Sequence, residues 1–593
     1  MKLRIIFCAA LALLLGQPAL ADAAGPPANT STALSADATL EEISNLAKTG
    51  NAEAQYQLGE RYYNGQGVVQ NDKQALYWYR KAAEQNNDMA QAYLGVMYYT
   101  GRGVAQDYAQ AVFWYRKAAE QGIAAAQGNL GVMYGYGQGV AQDYAQSLFW
   151  LRKAVDQGNA SAQNDLGNMY KEGHGVARDD AQAVVLFRKA AERGRAIGQY
   201  NLAVMYYAGR GINQDNAQAV FWYRKAADQG YAAAQFNLGY MYNIGSGVAQ
   251  DNAQAVFWYR KAADQGYAAA QNTLGTMYQS GRGITQDDAQ AVFWYRKAAD
   301  QGYAVAQFNL GYMYNIGSGV AQDNAQAVFW YRKGADQGYA AAQNTLGTMY
   351  QSGHGITQDD VQAVFWYRKA ADQGYAVAQF NLGYMYNIGT GVAQDNAQAV
   401  FWYRKAADQG YAAAQNTLGT MYQSEHGITQ DDAEAVFWYR KAADQGYAAA
   451  QNTLGTMYQS GRGITQDDAQ AVFWYRKAAD QGYAVAQFNL GYMYNMGRGV
   501  ARDYEQAAFW YGKAADQGDT DAQKNLAIMY ETDQSAPDNG SDTQPTGNHR
   551  KPGGRPNRPS GNRPNNRPPQ HNNPPPQRPA PQPMPKPAPI SPK

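Results

Sequence analysis

The twelve residues Ala255–Gly266, AVFWYRKAADQG, recur letter for letter from Ala219, Ala291, Ala363, Ala399, Ala435 and Ala471. Ala255, Trp258, Tyr259, Ala262 and Ala263 fall at i, i+3, i+4, i+7 and i+8, one apolar stripe on a helix of about four turns. A stripe repeated at multiples of 36 residues needs the same partner surface each time. The question is what each copy packs against.

The same step runs far beyond the phrase. Leucine recurs every 36 residues from Leu58 to Leu526, and all twelve tryptophans keep that spacing from Trp78 to Trp510, with Leu186 filling the single gap. In the other half of the unit Ala234, Leu238, Met241 and Tyr242 fall at i, i+4, i+7 and i+8, which predicts a second amphipathic helix. Gly245-Ser246-Gly247-Val248 supplies a turn between the two helices, and Asp251 with Gln254 resembles a capping box. Gly266 then ends the pair as a left-handed cap. One helix pair cannot cover its own stripes, whereas stacked pairs can. The large Trp258 and Tyr259 are expected to pack against alanine and glycine positions of adjacent helices.

No proline occurs between Pro27 and Pro537, so about five hundred residues avoid the side chain that breaks a helix interior. The chain has 593 residues, more than one core usually organises, and its formal charge of +1 hides an asymmetry. Without Lys2, Arg4 and the nine basic residues of 550–593, residues 5–549 carry a net −10. The first residues read as an export signal: Lys2 and Arg4, an apolar run from Ile5 to Leu15, then Pro18 and Ala19-Leu20-Ala21. That run is shorter than the roughly 20 residues of a membrane span. Cleavage after Ala21 is expected, giving a periplasmic or secreted protein without an integral span. It would remove Cys8, the only cysteine, and with it disulfides, thiolate metal sites and cysteine nucleophiles.

The pattern with Ala232, Ala234, Leu238-Gly239, Tyr242, Gly245-x-Gly247-Val248, Asp251, Ala255, Trp258-Tyr259, Ala262-Ala263 and Gly266 resembles the Sel-1-like repeat, a relative of the tetratricopeptide repeats. The resemblance covers 51–531 as thirteen full units and a closing first helix, Asp519–Glu531. It implies an all-α chain, a right-handed α/α superhelical solenoid of 36-residue helix-turn-helix repeats, with first helices on the concave side. Around it lie a signal peptide at 1–21, a linker at 22–38, a polar capping half-repeat at 39–50 and a disordered tail at 532–593. Leu186, Ala203, Ala527, Gly334 and Glu425 depart from the pattern, and Gly334 is expected to interrupt its helix. The family implies binding of proteins or peptides, in bacteria often outside the cytoplasm. Cysteine-rich members are associated with weak β-lactam binding or hydrolysis, and this chain does not resemble that branch.

Nothing in the body assembles into a catalytic set. His174, His354 and His426 occupy the same loop position in units that lie apart along the array, so they cannot share a metal or a triad. Asp251, Asp287 and Asp323 precede second helices, where an acid serves as a cap. Gly245-Ser246-Gly247 lacks the third glycine and the preceding strand of a phosphate loop. No catalytic residue, metal or cofactor is expected, and a β-lactam hydrolase is the weakest alternative.

Variation between units marks the candidate site. Two versions largely alternate, QFNLGYMYNIG from Gln235 and QNTLGTMYQSG from Gln271, differing at i, i+4 and i+7, roughly opposite the buried stripe. One presents Phe236, Tyr240 and Asn243; the other presents Asn272, Thr276 and Gln279. With Phe308, Tyr312, Phe380, Tyr384, Phe488 and Tyr492 they would form an aromatic and amide ladder for an extended peptide or a glycan. The opposing expectation is that these rings only fill gaps between helices. A second candidate is the segment 548–593, with sixteen prolines and no acid, in which Arg550, Lys551, Arg555, Arg558, Arg563, Arg567 and Arg578 could attract an anionic polymer of the envelope. It has no aromatic platform for stacking bases, so nucleic acid is not the favoured partner. The sequence therefore predicts an exported, non-catalytic scaffold for a protein or peptide, with polysaccharide or anionic-polymer binding as the alternative.

Overall fold

The computed structural model describes residues 39–534. Within them lie 28 α-helices and no strand. The expected signal peptide, linker and basic tail, including Arg550 to Arg578, lie outside the described residues. The described residues form two compact units, one ending at Trp294 and one starting at Tyr295. No described helix is long and apolar enough to cross a membrane.

The array begins with the short helix Leu40–Lys48, whose N-terminus carries a complete capping box between Thr39 and Glu42. From there pairs of 13-residue helices alternate, as in Ala232–Ile244 followed by Asn252–Asp264. The expected stripes are the buried ones: Ala234, Leu238 and Met241 on the first helix, and Ala255, Trp258, Tyr259, Ala262 and Ala263 on the second. Tyr259 and its equivalents Tyr331, Tyr367, Tyr403 and Tyr475 are among the largest fully buried side chains. Each lies on a glycine of the preceding first helix. A Cβ at Gly239 would stand 2.9 Å from the Tyr259 ring, and one at Gly347 would stand 2.8 Å from Tyr367. Small opposite large is what lets the two helices of a pair approach.

The tryptophans join pair to pair. Trp402 packs into a cluster of Val364 and Tyr367 from the preceding repeat with Leu382 and Met385 from the first helix of its own pair, and Trp510 does the same over Val472, Tyr475, Leu490 and Met493. Leu186 takes that place over Leu148, Leu151, Leu166 and Met169, so its substitution keeps the joint apolar.

A buried glutamine adds a polar seam. Gln379 Nε2 donates to the carbonyl of Ala371 in the preceding repeat at 3.1 Å, while its Oε1 accepts from Gln409 Nε2 at 2.7 Å. Gln235 does the same with Ala227 and Gln265, at 3.0 and 2.7 Å. Both ends of each buried amide are thereby matched, as burial requires.

Glycine in the turn serves two needs. Gly245 closes the first helix with φ 68°, in the left-handed region. Gly247, at φ 69°, runs so close to the preceding repeat that a Cβ would lie 2.2 Å from the carbonyl oxygen of Asn216. Asp251 caps the next helix by accepting from Gln254 N at 2.9 Å, without the reciprocal bond of a full box. Gln265 is the C-cap of that helix, and Gly266 follows at φ 87°.

Two local expectations are corrected. Gly334 does not interrupt its helix, which runs unbroken from Asn324 to Asp336. Its space is filled by Ala342 and the Ala304 carbonyl, which a Cβ would meet at 3.3 and 3.2 Å. The closing helix spans Thr520–Gln534 and so continues beyond Glu531.

Candidate binding face

The two first-helix versions solve one packing problem in two ways: how to cover the buried tyrosine of the second helix. In the second unit Phe380 lies against Tyr403 and Tyr411, with ring centroids at 5.3 and 5.5 Å. Phe308 lies likewise against Tyr331 and Tyr339, at 5.5 and 5.6 Å, and Phe488 lies 5.5 Å from Tyr511. Phe236 repeats this in the first unit with Tyr259 and Tyr267, at 5.5 and 5.4 Å. Phenylalanine here bridges its own repeat to the first residue of the next.

The other version uses polar groups. Tyr367 Oη donates towards Thr348 Oγ1 at 3.2 Å and Gln351 Oε1 at 2.8 Å, and Tyr475 bonds Thr456 and Gln459 at 3.1 and 2.8 Å. Asn344, where the first version has phenylalanine, accepts from Asn381 Nδ2 of the next repeat at 2.9 Å, as Asn452 does from Asn489. Asn272 is buried and Thr276 and Gln279 are half-buried, with Thr276 Oγ1 donating to the Asn272 carbonyl at 3.2 Å.

The expected ladder thus divides by residue type. Phe236, Phe308, Phe380 and Phe488 have ring faces taken up by the chain's own tyrosines, so packing accounts for them. Tyr240 and Asn243 are buried, whereas Tyr312, Tyr384 and Tyr492 are half-buried and keep part of their rings accessible. The rings and amides do lie on the same helices, but the free surface is narrower than the sequence suggests.

Burial pushes the Tyr367 hydroxyl up to about 12, with the Thr348 hydrogen bond partly opposing the rise. Tyr411 is raised by burial and then by its neighbours Tyr447 and Tyr375. Among the described residues the Asp165 carboxyl is pushed up to about 6, chiefly by desolvation, against a hydrogen bond from Asn164 and the attraction of Arg195, and Glu60 is likewise raised by burial. His174 stacks on Tyr144 at 5.1 Å, in a loop separate from those of His354 and His426. Among the described residues no group of three or more His, Cys, Asp or Glu is placed to hold a metal ion.

Sequence reasoning missed a second surface. Phe365 is 45% exposed on the second helix, edge-on to Trp366 at 5.1 Å, with Lys369 Nζ 4.6 and 4.9 Å from the two ring centroids. Phe257, Trp258 and Lys261 repeat the arrangement in the first unit. The signal was available: phenylalanine is invariant in the phrase at a position off the buried stripe. The lysine occupies each ring through a cation–π contact, so the column is partly self-satisfied.

Helix pairs that spend their apolar residues on one another and vary along one face define an α/α repeat solenoid, a class that works by binding. The Sel1 repeat pattern matches thirteen consecutive segments from 52–87 to 484–519, and the chain belongs to the Sel1 repeat family. Members of this family are generally non-catalytic scaffolds for protein–protein interaction.

Among solved structures, the chain is similar to a protective antigen with an SLR fold present in uropathogenic Escherichia coli strains. The two are 36% identical with a TM-score of 0.58, over 86% of this chain and all of that one. A Sel1 repeat protein from Oxalobacter formigenes is 37% identical over 53% of this chain and 93% of its own, with a TM-score of 0.43. A putative sel1-like repeat-containing protein, L18, of Acanthamoeba polyphaga mimivirus is 44% identical over 46 residues, 8% of either protein.

Proposed function

We propose that this chain is an exported, non-catalytic scaffold that holds a protein or extended peptide along the concave face lined by its first helices. The observation that carries this reading is the set of half-buried tyrosines Tyr312, Tyr384 and Tyr492, which recur among amides on one helix face. A ring fixed by its own helix offers apolar area at little entropic cost, and neighbouring amides can pair with a peptide backbone. Export is supported by the signal-like residues 1–21 and by the Escherichia coli relative, whose description as a protective antigen fits a protein displayed outside the cytoplasm.

The test is capture of partners from envelope extract by the mature chain, compared with a variant carrying Tyr312→Thr, Tyr384→Thr and Tyr492→Thr. The variant is expected to lose most of the captured partner while melting within a few degrees of the parent. Equal capture by both chains would overturn the reading. A second reading, attraction of an anionic envelope polymer, rests on the nine basic residues of 550–593. It is checked by salt-dependent retention on lipopolysaccharide with and without that segment.

A further inference from the structure

The first-helix face is not uniform, and one departure from the pattern lies within the first unit. A cavity of about 90 Å³ opens between the first helices Asp88–Thr100, Ala124–Tyr136 and Ala160–Glu172. By the same measure a single water needs about 10–15 Å³, so the space is that of an organic group. Its wall includes Tyr99, Tyr115 and Tyr136, the amide of Asn129, and Asp165.

One substitution opens this space and a second puts a charge on its wall. Gly128 stands where Phe236 and Phe308 fill the equivalent gap with a ring, and Asp165 stands where other repeats carry Asn237 or Thr273. Neither is demanded by packing. A Cβ at Gly128 would meet Ala162, Asn159 and Ala154 only at 3.6–3.9 Å, ordinary contact distance, so alanine would fit and would strengthen the helix. The helix keeps a weakening residue, and the consequence is an open cavity.

Asp165 is similarly unexplained by structure. Its side chain is half-buried and accepts from Asn164 Nδ2 at 3.3 Å, while Asn164 is itself engaged by Asn201 at 2.7 Å. Among the described residues it forms no ion pair. Arg195 attracts it without a contact ion pair, and its charge helps to raise the Tyr136 hydroxyl. A desolvated carboxylate with no cation in contact, beside three tyrosine rings, is placed to take what a cationic group would supply: charge for the carboxylate and a positive face for the rings.

We propose that this cavity is a binding pocket for a cationic side chain, an arginine or lysine presented on an extended peptide. The pocket deepens the scaffold reading and rests on it. Two sources offer the chemistry: a partner protein, or this chain's own 550–593 segment, whose sequence carries Arg555-Pro556, Arg563-Pro564 and Arg567-Pro568.

The probe is a fluorescent synthetic peptide of residues 555–568, titrated into the full mature chain and followed by anisotropy at pH 7.5. A peptide with citrulline in place of arginine should bind at least tenfold more weakly. Gly128→Phe, which fills the cavity, and Asp165→Asn should each weaken the arginine peptide by tenfold or more. Binding to the parent should also fall as Asp165 is protonated below about pH 6. A chain with its own tail arginines replaced by glutamine separates the sources. Several-fold tighter binding of the added peptide assigns the pocket to the tail, and unchanged binding assigns it to a partner.

The proposal is overturned if the glutamine-tailed chain fails to bind the peptide, or if Asp165→Asn binds it as the parent does. Asp165→Asn keeps the test valid should Gly128→Phe fold poorly. Partner capture by the tyrosine face does not require Gly128, so the pocket can fail while the scaffold reading stands, and the reverse.

Discussion

The repeats at 340–411 and those at 88–172 use the same helix pairs to different ends. In the first region Phe380, Asn344, Thr348 and Gln351 each find a partner in the chain, and nearly every difference between successive repeats has an answering contact. In the second region Gly128 leaves its space open and Asp165 has a single hydrogen bond from Asn164 and no ion pair, and both line a cavity. Uniform repeats are a solved packing problem and tolerate little change. A function-bearing position is recognised where a repeat gives up packing and nothing in the chain takes its place.

The sharpest way to break this comparison is to remove what makes the uniform repeats uniform. Tyr367→Ala deletes a fully buried ring together with a hydroxyl bonded to Thr348 and Gln351. A loss of about 3–5 kcal/mol is expected, as for other large core truncations. Because each repeat is stabilised mainly by its neighbours, the denaturant transition should split into two steps. A single unshifted transition would show that the tyrosine is not the joint it is taken for.

Gln379→Leu is the next largest. It removes two hydrogen bonds that tie neighbouring repeats, although the Ala371 carbonyl keeps the Gly374 N–H and the Gln409 amide keeps the Lys405 carbonyl, and a cost of about 1–3 kcal/mol is expected in denaturant melts. Preserved stability would mean that the glutamine seam contributes order without energy.

Most of this architecture was legible before any coordinates. The 36-residue clock of Leu238 and Trp258 fixed helix number, pairing and the buried stripes, because burial in a solenoid depends on near neighbours that the repeat itself supplies. The reading of Phe236 and Phe308 went less far. Period alone places a ring on a face, but whether its own chain covers that ring depends on Tyr267 and Tyr339 in the following repeat. Gly334 misled for a related reason: propensity argues for a break, and packing against Ala342 overrides it. Gly128 and Asp165 were visible as letters but carry meaning only through the space that their neighbours leave.

A smaller effect should appear at Asp165, with the opposite sign. Its carboxyl stands at about 6 in the folded chain against an ordinary 3.8, so the folded state binds its proton more tightly than the unfolded state does. Stability from this group is therefore present at low pH and is lost as pH rises between those two values. Asp165→Asn should raise stability by about 1–2 kcal/mol at pH 7.5, after allowance for partial solvent exposure, with the gain vanishing near pH 4. Melts of both chains across that range check it, and a gain independent of pH would refute the assigned cause. A variant that is more stable yet binds the arginine peptide more weakly would mark Asp165 as kept for something other than folding.

The smallest effect concerns a loop in the uniform region. Glu425 ends the helix Ala412–Ser424 at φ 57°, where Gly389 and Gly461 end the equivalent helices at φ 71° and 70°. A side chain in the left-handed region costs about 1–2 kcal/mol, but glycine also releases more freedom to the unfolded chain, by about 0.5–1 kcal/mol. The two effects oppose, so Glu425→Gly should stabilise by no more than about 1 kcal/mol. A global melt would barely register that, whereas hydrogen exchange at His426 N, which donates to the Met421 carbonyl at 3.1 Å, reports the loop directly. Exchange there should slow several-fold in the glycine variant. Faster exchange would mean that Glu425 holds its turn by contacts that outweigh the strain, and that this repeat, like the one around Gly128, departs from the pattern for a reason of its own.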